Sequence, residues 1–265
     1  MGCGLTNLKK LKALTNMWIA HLDKVLLILV TFLLAGMVKG VVGLGLPTIA
    51  VGLLGLVMAP LQAAALLIIP SMVTNIWQLC DGRSPLPMLR RLWPMLLGIL
   101  CGTLLVAGLL QSLDVPGATR WLGAALMLYA VLGLAKVHFR VERAKVGWLS
   151  PVIGAITGAI TAVTGVFVIP AVPYLQAIGL EKDDLVQALG LSFSVSTLAL
   201  AAALGHSGEL LQPAVLGVSA LALLPALLGM AAGQWLRKRI SAERFKRWFF
   251  VGLLLLGAEL ALRGL

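Results

Sequence analysis

From Val25 to Cys80 the only charged side chain is Lys39, set between Val38 and Gly40. An ionisable residue inside such an apolar run is a functional hypothesis by default, and an ammonium there attracts the oxygens of a small anion. The competing account is a lysine stem that snorkels to the interface. Oxyanions also need neutral donors, and Ser71, Thr74, Asn75, Trp77 and Gln78 supply hydroxyl, amide and indole groups at the end of the same region. Trp77 and Gln78 equally suit an interfacial belt beside Asp81 and Arg83. Pro70 lacks an amide hydrogen and frees a carbonyl one turn back, which predicts a kink beside a cavity. In the second half the stretch 187–197 offers Gln187, Ser194 and Thr197, with Ser192 and Ser196 among them. Ser194 and Thr197 share a helix face, although such hydroxyls also bond back to their own helix or bridge neighbours. Gly43, Gly45, Pro47 and Thr48 mark one interruption of the apolar pattern; Thr161, Thr164 and Tyr174 flank another, at Gly165, Pro170 and Pro173.

Other chemistries find little support. The chain has no HExxH, GxSxG or GxxxxGK[ST] string, so zinc hydrolysis, acyl transfer from a nucleophile elbow and self-contained nucleotide-driven pumping lack their usual residues. Asp183 and Asp184 stand without a histidine nearby, and Cys3, Cys80 and Cys101 have neither metal-ligand nor CxxC spacing. The reading is therefore of a non-enzyme with no cofactor and no metal. Glu259 lies four residues before Arg263, the spacing of a surface ion pair. His206 and Glu209 fall in a short connection where solvent suits them; a histidine can carry a coupling proton, yet no spacing demands one.

The elements that position these residues follow from composition. Of 265 residues 60% are hydrophobic and 12% charged, against about 25% charged in soluble domains. This excludes a soluble or disordered chain and predicts an all-α polytopic membrane protein. Apolar blocks occupy 25–58, 60–79, 92–113, 119–136, 148–177, 186–204, 212–236 and 247–263. The first and fifth are too long for one crossing at about 1.5 Å per residue, and both carry the Gly and Pro interruptions; each reads as a broken or re-entrant helix. Residues 1–24, with Lys9, Lys10 and Lys12 amid Leu8, Leu11 and Trp18, read as an amphipathic or flexible segment and not a cleaved signal.

Two matches suggest a repeat of four blocks, 25–137 and 148–263. Gly36 and Gly40 match Gly154 and Gly158, which sets Lys39 opposite Thr157, and Gln62-Ala63-Ala64 matches Gln187-Ala188-Leu189. The net charge of +11 sits in short runs between blocks, which argues against nucleic acid and for cytoplasmic loops. If both broken blocks re-enter, the runs with Arg83, Arg90 and Arg91, at 136–147 and at 237–247 share one side, and the repeats are inverted. Inverted repeats with broken helices are the architecture of secondary transporters, in which half-helix N-termini receive anions. The expectation is an anion held where the two breaks meet.

The strings VKGVVGLGLPTIAVGLLGLVMAPLQAAALLIIPSMVTNIWQ (38–78) and GAITGAITAVTGVFVIPAVPYLQAIGL (154–180) resemble the sulfite exporter TauE/SafE family of membrane transporters. The resemblance runs from about residue 25 onward. It departs from the family in showing Gly43-Leu44-Gly45-Leu46-Pro47 where a consecutive glycine run is usual. It implies movement of a small anion such as sulfite or an organosulfonate across the bacterial cytoplasmic membrane, by alternating access and in the direction of export. Uptake of a carboxylate or sulfonate, and a non-transporting assembly subunit, are the alternatives. The partners implied are the anion and the lipid bilayer, with a coupling proton or ion and a homodimer left open.

Overall fold

The computed structural model describes residues 3–80, 85–110, 117–135, 140–206 and 213–263, with the side chains of 3–22, 182 and 242 outside that description. Among the described residues there are ten helices and no strand, in two runs of the same order. The first run is α1 (Cys3–Val42), α2 (Leu46–Leu54), α3 (Pro60–Cys80), α4 (Pro85–Leu110) and α5 (Ala118–Leu134). The second is α6 (Arg143–Thr164), α7 (Ala171–Ala177), α8 (Lys182–His206), α9 (Pro213–Arg237) and α10 (Ala242–Arg263). Among the described residues six segments are long and apolar enough to cross a bilayer: Asp23–Val42, Pro60–Cys80, Pro85–Leu110, Arg143–Thr164, Asp183–His206 and Pro213–Arg237. The chain is a multi-pass membrane protein.

Where the structure describes them, the eight apolar blocks are helical, and the first and fifth are split at their glycines and prolines. Helices α4, α6 and α10 start earlier than their blocks, because exposed residues such as Arg90, Arg91 and Arg143 continue the helix while their charged heads stay in water. Asp81, Arg83 and Glu209 lie outside the described residues. Arg263 Nε donates to Glu259 Oε1 at 2.6 Å on the surface, the pair expected from their spacing.

The breaks have a backbone cause. Gly43 (φ 79°) and Gly45 (φ 112°) take left-handed conformations after α1, and Gly165 (φ 72°) does so after α6, a region that glycine enters without a steric penalty. Pro47 then sits in the first turn of α2, where its missing N–H leaves no helical bond unmade. Past its break the second segment folds back along α6. Val141 N donates to the Ala177 carbonyl at 3.0 Å, and the Tyr174 hydroxyl lies 2.6 Å from Ser150 Oγ and donates to the Val146 carbonyl at 3.4 Å. Helix α2 likewise packs against α1, which ends where it begins, and against α3.

Lipid offers apolar surface as good as another helix, so association relies on close packing and interhelical hydrogen bonds. Gly36 and Gly40 on α1 meet the Ala226 and Met230 carbonyls of α9; Gly229 and Gly233 answer against Leu33 and Met37. Gly154 and Gly158 on α6 meet Met95 and Ile99 of α4; Gly98 and Gly102 answer against Pro151 and Ala155. A Cβ at Gly36 or at Gly154 would lie 2.1 Å from the facing carbonyl oxygen. The glycines matched in the sequence thus make matched contacts. Two further large contacts, α3 with α8 and α5 with α10, join helices in corresponding places of the two runs.

Candidate functional site

Lys39 is buried in the last turn of α1, and its side chain crosses to α3. Its Nζ donates to Thr74 Oγ1 at 3.0 Å and to Asn75 Oδ1. Asn75 in turn donates from Nδ2 to Ser71 Oγ at 3.1 Å and to Thr197 Oγ1 of α8 at 3.4 Å. Ser71 Oγ and Thr197 Oγ1 are 3.2 Å apart. One turn beyond Asn75, Gln78 Nε2 donates to the Gly43 carbonyl at 3.1 Å and so ties α3 to the first break. Spacing along α3 accounts for this face: positions 71, 74, 75 and 78 recur with the helical period. Trp77 falls off the face and is 55% exposed, whereas Gln78 is buried, so the two residues of the expected interfacial belt part company.

The lysine's partners are neutral oxygens. Among the described residues Lys39 is the only buried side chain of a charged type, and no buried carboxylate accompanies it. Its Nζ has three donor positions, of which the two bonds above use two. Around it the Gln78 Oε1 oxygen is buried without a hydrogen-bond partner. At the first break the amides of Leu44, Gly45 and Leu46 donate to no backbone carbonyl among the described residues. Thr48 Oγ1 donates back to the Gly45 carbonyl at 3.0 Å, which shapes the start of α2. The remaining N–H of Lys39 and these amides can donate to the oxygens of an anion, whereas the Gln78 Oε1 oxygen can only accept.

Other candidates lie elsewhere. Thr161 Oγ1 donates to the Thr157 carbonyl at 2.7 Å, and Thr164 Oγ1 donates to Ile160 at 2.7 Å while accepting from Val166 N at 3.2 Å; both close the end of α6. Ser194 Oγ bonds back to the Gly190 carbonyl at 2.8 Å. Gln187 Nε2 donates to the Leu79 carbonyl at 3.2 Å, a tie between α8 and α3 beyond the Lys39 cluster. Of the second-half candidates only Thr197 joins the cluster.

The two breaks do not meet. Gly43 lies against Gln78, while a Cβ on Gly165 would lie 2.5 Å from Ala64 Cβ. Those α3 positions are fourteen residues apart, about 21 Å along the helix. The glycine turns of the two breaks thus touch α3 near its opposite ends. The carbonyl freed by Pro70 also differs from expectation. Ser219 Oγ of α9 donates to the Leu66 carbonyl at 2.9 Å and accepts from Ile69 N at 3.3 Å, filling the gap with protein. Ser219 went unnoticed in the sequence because one serine in the apolar α9 carries no pattern that points to α3.

The profile of the sulfite exporter TauE/SafE family matches residues 28–260 of the chain. No curated protein and no solved structure matches.

Proposed function

The chain belongs to the sulfite exporter TauE/SafE family, and on that premise we propose that it is a secondary transporter of a small oxyanion, sulfite or an organosulfonate, exported across the cytoplasmic membrane of a bacterium. The observation that carries this reading is Lys39, a buried amine whose hydrogen-bond partners, Thr74 and Asn75, are both neutral. An ammonium in a low-dielectric interior is costly without a counter-charge. A substrate anion supplies that charge, and binding is then favourable where the protein alone is frustrated. Thr74 and Asn75 orient the amine, leaving one N–H for the substrate, and the free amides at the start of α2 add donors at a helix N-terminus.

The mechanism proposed is alternating access between two inverted repeats, 25–137 and 148–263. The matched glycine contacts, the two returning segments and the identical helix order support it. In this reading Arg90, Arg91, Arg140, Arg143 and the basic residues at 237–247 face the cytoplasm. Gln78 holding the Gly43 carbonyl is the latch between α3 and the first hairpin, and movement of that hairpin opens the site to one side. Flux of labelled sulfite, an alkanesulfonate and a dicarboxylate into and out of proteoliposomes, under imposed pH and potential gradients, tests the reading. Sulfite or sulfonate flux that falls away in Lys39→Gln supports it; failure of every anion to move under any gradient overturns it.

A further inference from the structure

Helices α3 and α9 are tied where Ser219 meets Leu66 and Ile69, and further along both helices a groove parts them. Trp77 forms the α3 wall of that groove; Leu224, Leu228, Ala231 and Gln234 form the α9 wall, with the buried Met230 beneath. Its outer side is open, since Trp77, Leu224 and Leu228 are each more than half exposed. In a bilayer such an opening faces lipid. From Leu224 to Gln234 the groove follows α9 for about 15 Å, half of a hydrocarbon core of about 30 Å. That is the depth of one leaflet. Its volume of about 230 Å³ falls below the roughly 300–1,000 Å³ of solute pockets, and no charged side chain lines it. A slender hydrocarbon chain suits this space; a small oxyanion does not.

One end of the groove is marked by charge. Leu224, Ala231 and Gln234 recur with the helical period, and at about 100° per residue the same stripe next reaches Lys238. The backbone keeps turning that far, because Lys238 N donates to the Trp235 carbonyl at 3.2 Å and Arg239 N to the Leu236 carbonyl at 2.8 Å. Lys238 and Arg239 are exposed, and the Arg239 guanidinium lies 4.0 Å from the centre of the Trp235 ring, a cation–π contact that holds it at the end of α9. No acidic residue occurs in the sequence between Glu209 and Glu243 to offset them. A second copy of this chain docked about a two-fold axis would bring the same cations to the same end of the contact, whereas an anionic headgroup neutralises them. We propose that the groove between α3 and α9 seats an acyl chain of an anionic phospholipid, with the phosphate at Lys238 and Arg239 and the ester region at Gln234 and the Trp77 indole. With the basic runs on the cytoplasmic side, this is the leaflet in which anionic lipids attract juxtamembrane cations. The lipid braces α3 against α9 on the outer side of Met230, whose carbonyl abuts Gly40 beside Lys39. The seat thus adjoins the Lys39 cluster without forming part of it, and the inference goes beyond the transporter reading without depending on it.

Native mass spectrometry of the purified full chain, equilibrated in detergent with an equimolar mixture of phosphatidylglycerol and phosphatidylcholine of identical acyl chains, tests the seat. Wild type is expected to retain one phospholipid and to favour phosphatidylglycerol by about tenfold or more, since each basic residue near a headgroup adds to the attraction. Lys238→Gln/Arg239→Gln, confined to exposed side chains, should still retain one phospholipid but with the preference reduced to within about twofold. Ala231→Trp, which fills the groove, should retain neither while unfolding at the wild-type temperature in lipid-free detergent. Equal retention of the two lipids by wild type, or a full preference in the double glutamine variant, overturns the proposal. Release of the lipid by an equal concentration of glycerol 3-phosphate would show a site for free phosphate and also overturns it. So does a wild-type dimer that Ala231→Trp splits, which would give the groove to a second copy of the chain.

Discussion

Beside the break after α1 a lysine, an asparagine and a glutamine converge; in α6, ahead of the second break, the position matched to the lysine is Thr157, whose hydroxyl returns to the Ile153 carbonyl at 2.8 Å. The backbone of the two regions is alike, each with a left-handed glycine and a returning segment. Their side chains are not. Side-chain nitrogen donors gather beside the first break, while the side chains that close the second, Thr161 and Thr164, carry hydroxyls. A repeat supplies a hinge twice over, but one charge is enough to fix an anion, and a second buried ammonium would add its own desolvation cost. The lesson is that the architecture is duplicated and the chemistry is concentrated.

The largest expected effect comes from removing the charge that separates the halves. Lys39→Gln should lower sulfite or sulfonate flux by about a hundredfold, since the one charge-assisted bond left for the substrate, of about 1.5–3 kcal/mol, goes with it; Thr157→Val should leave flux within about twofold, and proteoliposome assays of both variants decide. Asn75→Leu comes next. It removes the group that orients Nζ and leaves Ser71 and Thr197 without their amide donor, and flux should fall by about tenfold, with Asn75→Asp failing to rescue it because a fixed carboxylate takes the place of the substrate.

The likeness of the halves is tested by packing. Gly36→Ala and Gly154→Ala each force a methyl onto a carbonyl oxygen at 2.1 Å, and overpacking of this kind costs on the order of 2 kcal/mol. Thermal unfolding in detergent should show similar losses for both; a loss confined to one would mean that α1–α9 and α4–α6 are not equivalent contacts. The smallest effect is predicted for Ser194→Ala. Its bond is to its own helix, and flux and thermal stability should stay within about 0.5 kcal/mol of wild type.

Much of this comparison was readable in the sequence because it depends on residue types that membranes punish. Gly43, Gly45, Pro47 and Gly165 announce where the helices stop, and Gly36, Gly40, Gly154 and Gly158 announce where backbones touch. Lys39 stands out among apolar neighbours, and the period of Ser71, Asn75 and Gln78 gives their shared face. What periodicity does not carry is the partner across the interface. It did not separate Thr197, which reaches α3, from Ser194, which stays on its own helix, although the two lie three residues apart. Nor did it reveal that Ser219 fills the gap at Pro70, or that the two breaks touch α3 at positions about 21 Å apart along it, because both depend on how the helices pack. The unpaired hydroxyls of Ser192 and Ser196 were equally hidden, since only the packed structure tells a back-bonded serine from an orphaned one.

The central claim is that the buried amine of Lys39 holds the transported anion. Sulfite equilibrium exchange in proteoliposomes, with wild type, Lys39→Gln and Thr157→Val at matched protein content, tests it most directly. The account predicts exchange by wild type and Thr157→Val and its near abolition in Lys39→Gln. Exchange at the wild-type rate in a folded Lys39→Gln protein would contradict it.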